Sequence, residues 1–117
     1  MSEPDPPLLR WHVEPARDAA IVHLAGEIDL WTGPVFANAI ATAQRAPASL
    51  IVIDLTNVTF IGSMGLQLLI TAHDDALRAD RQLRVAHGGG VARRVFEVAG
   101  VHQLLAIYET LERARTA

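Results

Sequence analysis

Between Phe60 and Gln67 the chain carries a single hydroxyl, on Ser63, with glycines at Gly62 and Gly65. Three kinds of chemistry suit a serine in that setting. It can be a nucleophile, it can cap a helix by accepting from an orphan backbone N–H, or it can accept a phosphate. The helix dipole and free N–H groups of a helix start would tolerate that phosphate. Nucleophilic catalysis fits poorly. Residues 61–65 approximate the Gly-x-Ser-x-Gly elbow, but Ile61 stands where its first glycine belongs. The His87-Gly88-Gly89-Gly90 run follows the serine, whereas the oxyanion loop of that fold precedes it. Capping and phosphate acceptance both remain open for Ser63, and the two are compatible.

The other reactive residue types narrow the field further. The chain has no cysteine, which removes disulfides, zinc–thiolate sites and thiol catalysis. Every basic residue is arginine, so there is neither a Schiff-base lysine nor a P-loop lysine. His12, His23, His73, His87 and His102 are scattered without the paired spacing of a metal site. No dinucleotide or Walker glycine pattern is completed, so no cofactor is expected. His73 falls on an apolar helix stripe and reads as a core histidine with one hydrogen bond.

Around Ser63, the apolar run at residues 50–55 reads as a strand covered on both faces. A short polar turn should follow, and then a helix with Leu66, Leu69, Ile70, His73 and Leu77 on its buried stripe, ending near residue 80. Upstream, alternation at Leu9, Trp11 and Val13 predicts a strand. A turn at residues 15–18 and a second strand at 20–25 complete a hairpin. Gly26-Glu27-Ile28-Asp29 leaves that strand. The next helix starts near Pro34 and buries Val35, Phe36, Ala39, Ile40 and Ala43. Downstream come a strand around Leu83 and Val85 and a helix on Val91, Val95 and Val98, closed by Gly100. A strand at 104–108 and a helix at 109–115 end the chain. The order β-β-α-β-α-β-α-β-α implies a mixed, mostly parallel α/β sheet. Functional sites in such sheets lie beyond the strand carboxyl ends, where both Asp29 and Ser63 fall.

At 117 residues the chain makes one domain over residues 8–117. The acidic, proline-rich residues 1–7 are expected to be a disordered tail and not a secretory signal. A net charge of −3 argues against direct nucleic-acid binding. No apolar run is long enough for membrane insertion, and a cytoplasmic location is expected.

The Gly26-Glu27-Ile28-Asp29 segment resembles the STAS domain. So does the later run Asp54-Leu55-Thr56-x-Val58-x-Phe60-Ile61-x-Ser63-x-Gly65-Leu66. Within that family both are similar to the bacterial anti-sigma factor antagonists. The resemblance covers about residues 13–111. It implies a sheet of four to five strands with helices mainly on one side, and a binding protein rather than an enzyme. It further implies partner switching. The unphosphorylated protein binds an anti-sigma factor serine kinase, phosphorylation of Ser63 releases it, and a phosphatase resets the switch. Asp29, Thr59, Gly62, Met64 and Gly65 would form the partner-binding surface of a monomer or weak dimer. The chain departs from the family twice, with Gly62 in place of the usual Asp and Met64 in place of the usual Ser or Thr. A second reading within the same family is a structural STAS subunit of a lipid-transport ABC complex or stress-signalling assembly, with no phospho-switch.

Overall fold

The first two strands of the computed structural model, which describes residues 8–117, form the expected hairpin. β1 (Leu9–Ala16) runs antiparallel to β2 (Ala19–Ile28). The turn is tighter than the sequence suggests. Pro15 stays in the ladder opposite Ala20, and Arg17-Asp18 alone reverses the chain, with Asp18 at φ 58°. Proline is tolerated here because β1 is an edge strand. The expectation for residues 1–7 lies outside the described residues.

The remaining elements are α1 (Gly33–Gln44), β3 (Leu50–Ile61), α2 (Ser63–Arg78), β4 (Gln82–Ala86), α3 (Val91–Ala99), β5 (Ala106–Tyr108) and α4 (Leu111–Thr116). A single 3-10 turn, Val101–Gln103, follows α3. The sheet order is β1-β2-β3-β4-β5, parallel throughout except for the opening hairpin. Strand alternation divides the apolar side chains between two faces. Val22, Ile51, Ile53, Leu83 and Val85 meet Phe36, Ile40, Leu69 and Phe96 of α1–α3 in the main core. Ile21, Val52 and Ala86 meet Ala114 of α4 in a small second cluster. Helices therefore lie mainly on one side. Each large side chain fully buried this way contributes about 1.5–3 kcal/mol.

Three local expectations need correction. β3 does not stop at Leu55 but continues to Ile61, so the anticipated polar turn is extended chain. Residues 50–54 are flanked by both β2 and β4, whereas residues 57–61 pair with β2 alone. That one-sided pairing leaves Thr56, Asn57, Thr59 and Phe60 exposed, which is why the segment reads as a loop.

α1 buries Phe36, Ala39, Ile40 and Ala43 as expected, but the stripes of α2 and α3 are rotated from the expected phase. α2 buries Gly65, Leu69, Ala72 and Ala76 and leaves Leu77 exposed. α3 buries Ala92 and Phe96 and leaves Val91 and Val98 exposed, although Gly100 closes it at φ 67° as anticipated. Small residues face the sheet because they allow close approach of helix and strand. His73 is half-buried, but its Nδ1 is buried with no hydrogen-bond partner, unlike the satisfied core histidine expected.

Candidate functional site

Both segments singled out by the sequence arrive together at the carboxyl ends of β2 and β3. Ile28 pairs with Ile61 in the parallel ladder, and the Gly62 N–H donates to the Ile28 carbonyl at 2.9 Å. Asp29 and Ser63 each follow that joint by one residue, so the fold places them on adjoining turns.

Ser63 is exposed and is the first residue of α2. The cap itself is Gly62, in extended backbone at φ −92° and ψ −179°, and no side chain caps this helix. The capping role considered for Ser63 therefore belongs one residue earlier. Ser63 sits, exposed, on the first turn, where backbone N–H groups lack intrahelical partners. This geometry can accept an anion without rebuilding the helix.

Asp29 is half-buried, and its carboxylate is turned into its own segment. Oδ1 accepts from the Trp31 and Thr32 N–H groups, each at 2.9 Å, and the Asp29 N–H donates to Thr32 Oγ1 at 2.9 Å. Thr32 Oγ1 in turn donates to the Glu27 carbonyl at 2.7 Å. The carboxylate thus organises the entry to α1. The turn it fixes projects Leu30 and Trp31 outward, with Trp31 82% exposed.

The two glycines behave differently. A Cβ on Gly65 would lie 2.7 Å from Cγ2 of Ile28 and 2.8 Å from Cγ1 of Ile61, so glycine is required to seat α2. Gly65 is buried and serves the surface from beneath. A Cβ on Gly62 would meet only ordinary contacts, the nearest being the Phe60 ring at 3.4 Å. Nothing steric demands glycine there. Met64 reaches the first residue of α1, since a Cβ on Gly33 would come within 2.6 Å of its Sδ.

Thr59 is exposed and is the extra residue of a β-bulge. Gly26 pairs with Val58 and Glu27 with Phe60, which leaves Thr59 without a partner on β2. Bulges of this kind re-aim a strand end near a site. Sequence reasoning missed Leu30, Trp31 and Phe60. With Met64 they are large apolar side chains exposed on the two segments joined at Ile28 and Gly62. Leu30 and Trp31 directly follow the Gly26–Asp29 motif, a signal that was readable in the sequence.

No group of His, Asp and Glu among the described residues is placed to hold a metal ion. None of their helices is long and apolar enough to cross a membrane.

The STAS domain family model matches residues 10–114. The anti-sigma-F factor antagonist RsfB of Mycobacterium tuberculosis is 32% identical over 97 residues, covering 83% of this chain and 79% of the relative. A crystal structure of an anti-sigma factor antagonist from Mycobacterium paratuberculosis superposes with a TM-score of 0.85 at 31% identity, covering 99% of this chain and 97% of that one. The Bacillus cell fate determinant SpoIIAA, solved in its phosphorylated form, shares the fold at a TM-score of 0.64 and 19% identity, covering 91% of this chain and 96% of that one.

Proposed function

The chain belongs to the STAS domain family, and from that membership we propose that it is an anti-sigma factor antagonist switched at Ser63. The unphosphorylated protein docks on an anti-sigma factor that is also a serine kinase. Transfer of a phosphate to Ser63 ends the complex, and a phosphatase restores the hydroxyl. The observation that carries this reading is the exposed Ser63 on the first turn of α2, flanked by exposed Leu30, Trp31, Phe60 and Met64.

The physics is of sufficient size. A phosphoserine carries a charge of about −1.5 to −2. Desolvating even part of that charge against an apolar partner surface costs several kcal/mol. About 2.8 kcal/mol already changes affinity a hundredfold. Within the monomer, free N–H groups of α2 accept the new anion, so release needs no refolding. Thr59 and Met64 lie on the docking surface, Asp29 fixes the turn that presents Trp31, and Gly62 and Gly65 set the start of the helix.

The test is to incubate the protein with ATP and each serine-kinase anti-sigma factor of the same organism, then locate phosphate by mass spectrometry. Modification at Ser63, with binding retained by Ser63→Ala, is expected. Indifference to every such kinase, together with co-purification with a transporter ATPase, would move the chain to the structural-subunit reading.

A further inference from the structure

On the sheet face opposite α1–α3, His23 of β2 lies between two carboxylates from different strands. Its Nδ1 is 2.9 Å from Oδ2 of Asp54 on β3, and its Nε2 is 2.8 Å from Oε1 of Glu14 on β1. A neutral imidazole has one N–H and one lone pair, so it can satisfy only one of them. Two carboxylate partners call for two ring protons, and therefore for the imidazolium. From β1, His12 also stacks on the ring, with centroids 4.7 Å apart. Arg10 and Asn57 line the shallow groove beside it.

Asp54 is 7% exposed, and its second oxygen is committed further along β3. Oδ1 accepts from the Thr56 N–H at 3.1 Å and from the Thr56 hydroxyl at 2.6 Å. Thr56 packs against the β4–α3 loop, where a Cβ on Gly88 would lie 2.6 Å from Oγ1 of Thr56. This cluster sits where β3 changes character. The β2–β3 register shifts between His23 and Ala25, and β4 pairs with β3 no further than Asp54. Beyond that point the strand leading to Ser63 has one neighbour only.

We propose that Glu14, His23 and Asp54 form a proton-operated clasp on β3: with both ring nitrogens of His23 protonated it fastens the 57–61 extension, and release of one proton to solvent loosens it. The clasp concerns the strand itself and stands whatever Ser63 binds. Loss of the proton leaves one carboxylate facing a lone pair. Where that carboxylate is the buried Asp54, the Thr56 turn shares the strain. Burial on its own lowers the pKa of His23, but the hydrogen bonds and charges of Glu14 and Asp54 outweigh it and raise the value above 6.5.

Site-resolved NMR of the histidine ring nitrogens from about pH 5 to about pH 9 tests the clasp, with amide protection factors measured in parallel. His23, distinguished from His12 by assignment, should hold two protons on the acid side and lose one with a midpoint above 6.5. Protection at residues 57–61 should fall with the same midpoint, while residues 51–53 stay protected. Glu14→Gln, on the exposed edge strand, should fold normally and lower both midpoints together. A His23 midpoint at or below 6.5, or protection at 57–61 that ignores that midpoint, overturns the proposal.

Discussion

The Gly62 amide donates to the Ile28 carbonyl at 2.9 Å, the last bond of the β2–β3 pairing that joins the segment bearing Asp29 to the segment bearing Ser63. Everything proposed for the site depends on that joint. The turn displaying Leu30 and Trp31 leaves one side of it, and α2 leaves the other.

The seat beneath the joint is the first thing to test. Gly65→Ala would push a methyl into Ile28 and Ile61, both nearly fully buried. Overpacking of this kind costs about 1–3 kcal/mol. Urea denaturation should show a lowered midpoint. Because α2 must shift outward, phosphorylation of Ser63 by its kinase should also slow.

Gly62 should behave in the opposite way. Its backbone is open to any residue and a Cβ has room. Gly62→Asp places a capping side chain at the start of α2, where aspartate exceeds glycine by only a few tenths of a kcal/mol. The urea midpoint should hold or rise slightly. The added carboxylate beside Ser63 should change which kinase modifies the loop, read as relative phosphorylation rates across a kinase panel. A stability lowered by about 1 kcal/mol or more, beyond the usual range of a surface change, would mean that the site needs glycine for another reason.

Trp31 separates binding from folding. At 82% exposure its truncation to alanine should alter stability by no more than about 0.5 kcal/mol. If it anchors the partner, calorimetry should show affinity reduced about tenfold or more, the scale of an aromatic interface anchor. Unchanged affinity would place the interface elsewhere.

Two histidines contribute to the pH dependence of stability, with opposite signs. His87 Nδ1 accepts from the Gly89 N–H at 2.8 Å, a bond that protonation would break. Burial first, and then the charge of Arg93, lower its pKa from 6.5. The folded state therefore resists protonation there, and stability falls as pH drops from 6.5 through the lowered value. His23 has a raised folded-state pKa, so its contribution is complete below 6.5 and is lost as pH rises through the raised value. Urea midpoints between about pH 5 and about pH 9 should peak near the ordinary imidazole value. His87→Gln should flatten the acidic limb and His23→Gln the alkaline one.

The element order was legible in the sequence because strand alternation and capping signals are local. The β1–β2 hairpin and the Gly100 helix stop needed nothing beyond neighbouring residues. The second half of β3 was not legible. Thr56 and Asn57 look like loop residues, but Asn57 pairs with Ala25 of β2 and the Asp54 carboxylate holds Thr56, which keeps both extended. Helix phase failed where Gly65, Ala72, Ala76 and Ala92 face the sheet, since small residues carry little hydrophobic signal although they permit the closest packing. Ser63 was found by type and position, yet the cap proved to be Gly62. The His23–Asp54 contact spans 31 positions in the chain and has no local signature.

A phosphate on Ser63 is proposed to end the partner complex. The most direct test is the affinity of one anti-sigma factor kinase for the unmodified protein and for the same protein phosphorylated at Ser63, measured by calorimetry. A loss of about a hundredfold or more, matching about 2.8 kcal/mol, is predicted. Equal affinities for the two forms would rule out a phosphate switch at Ser63.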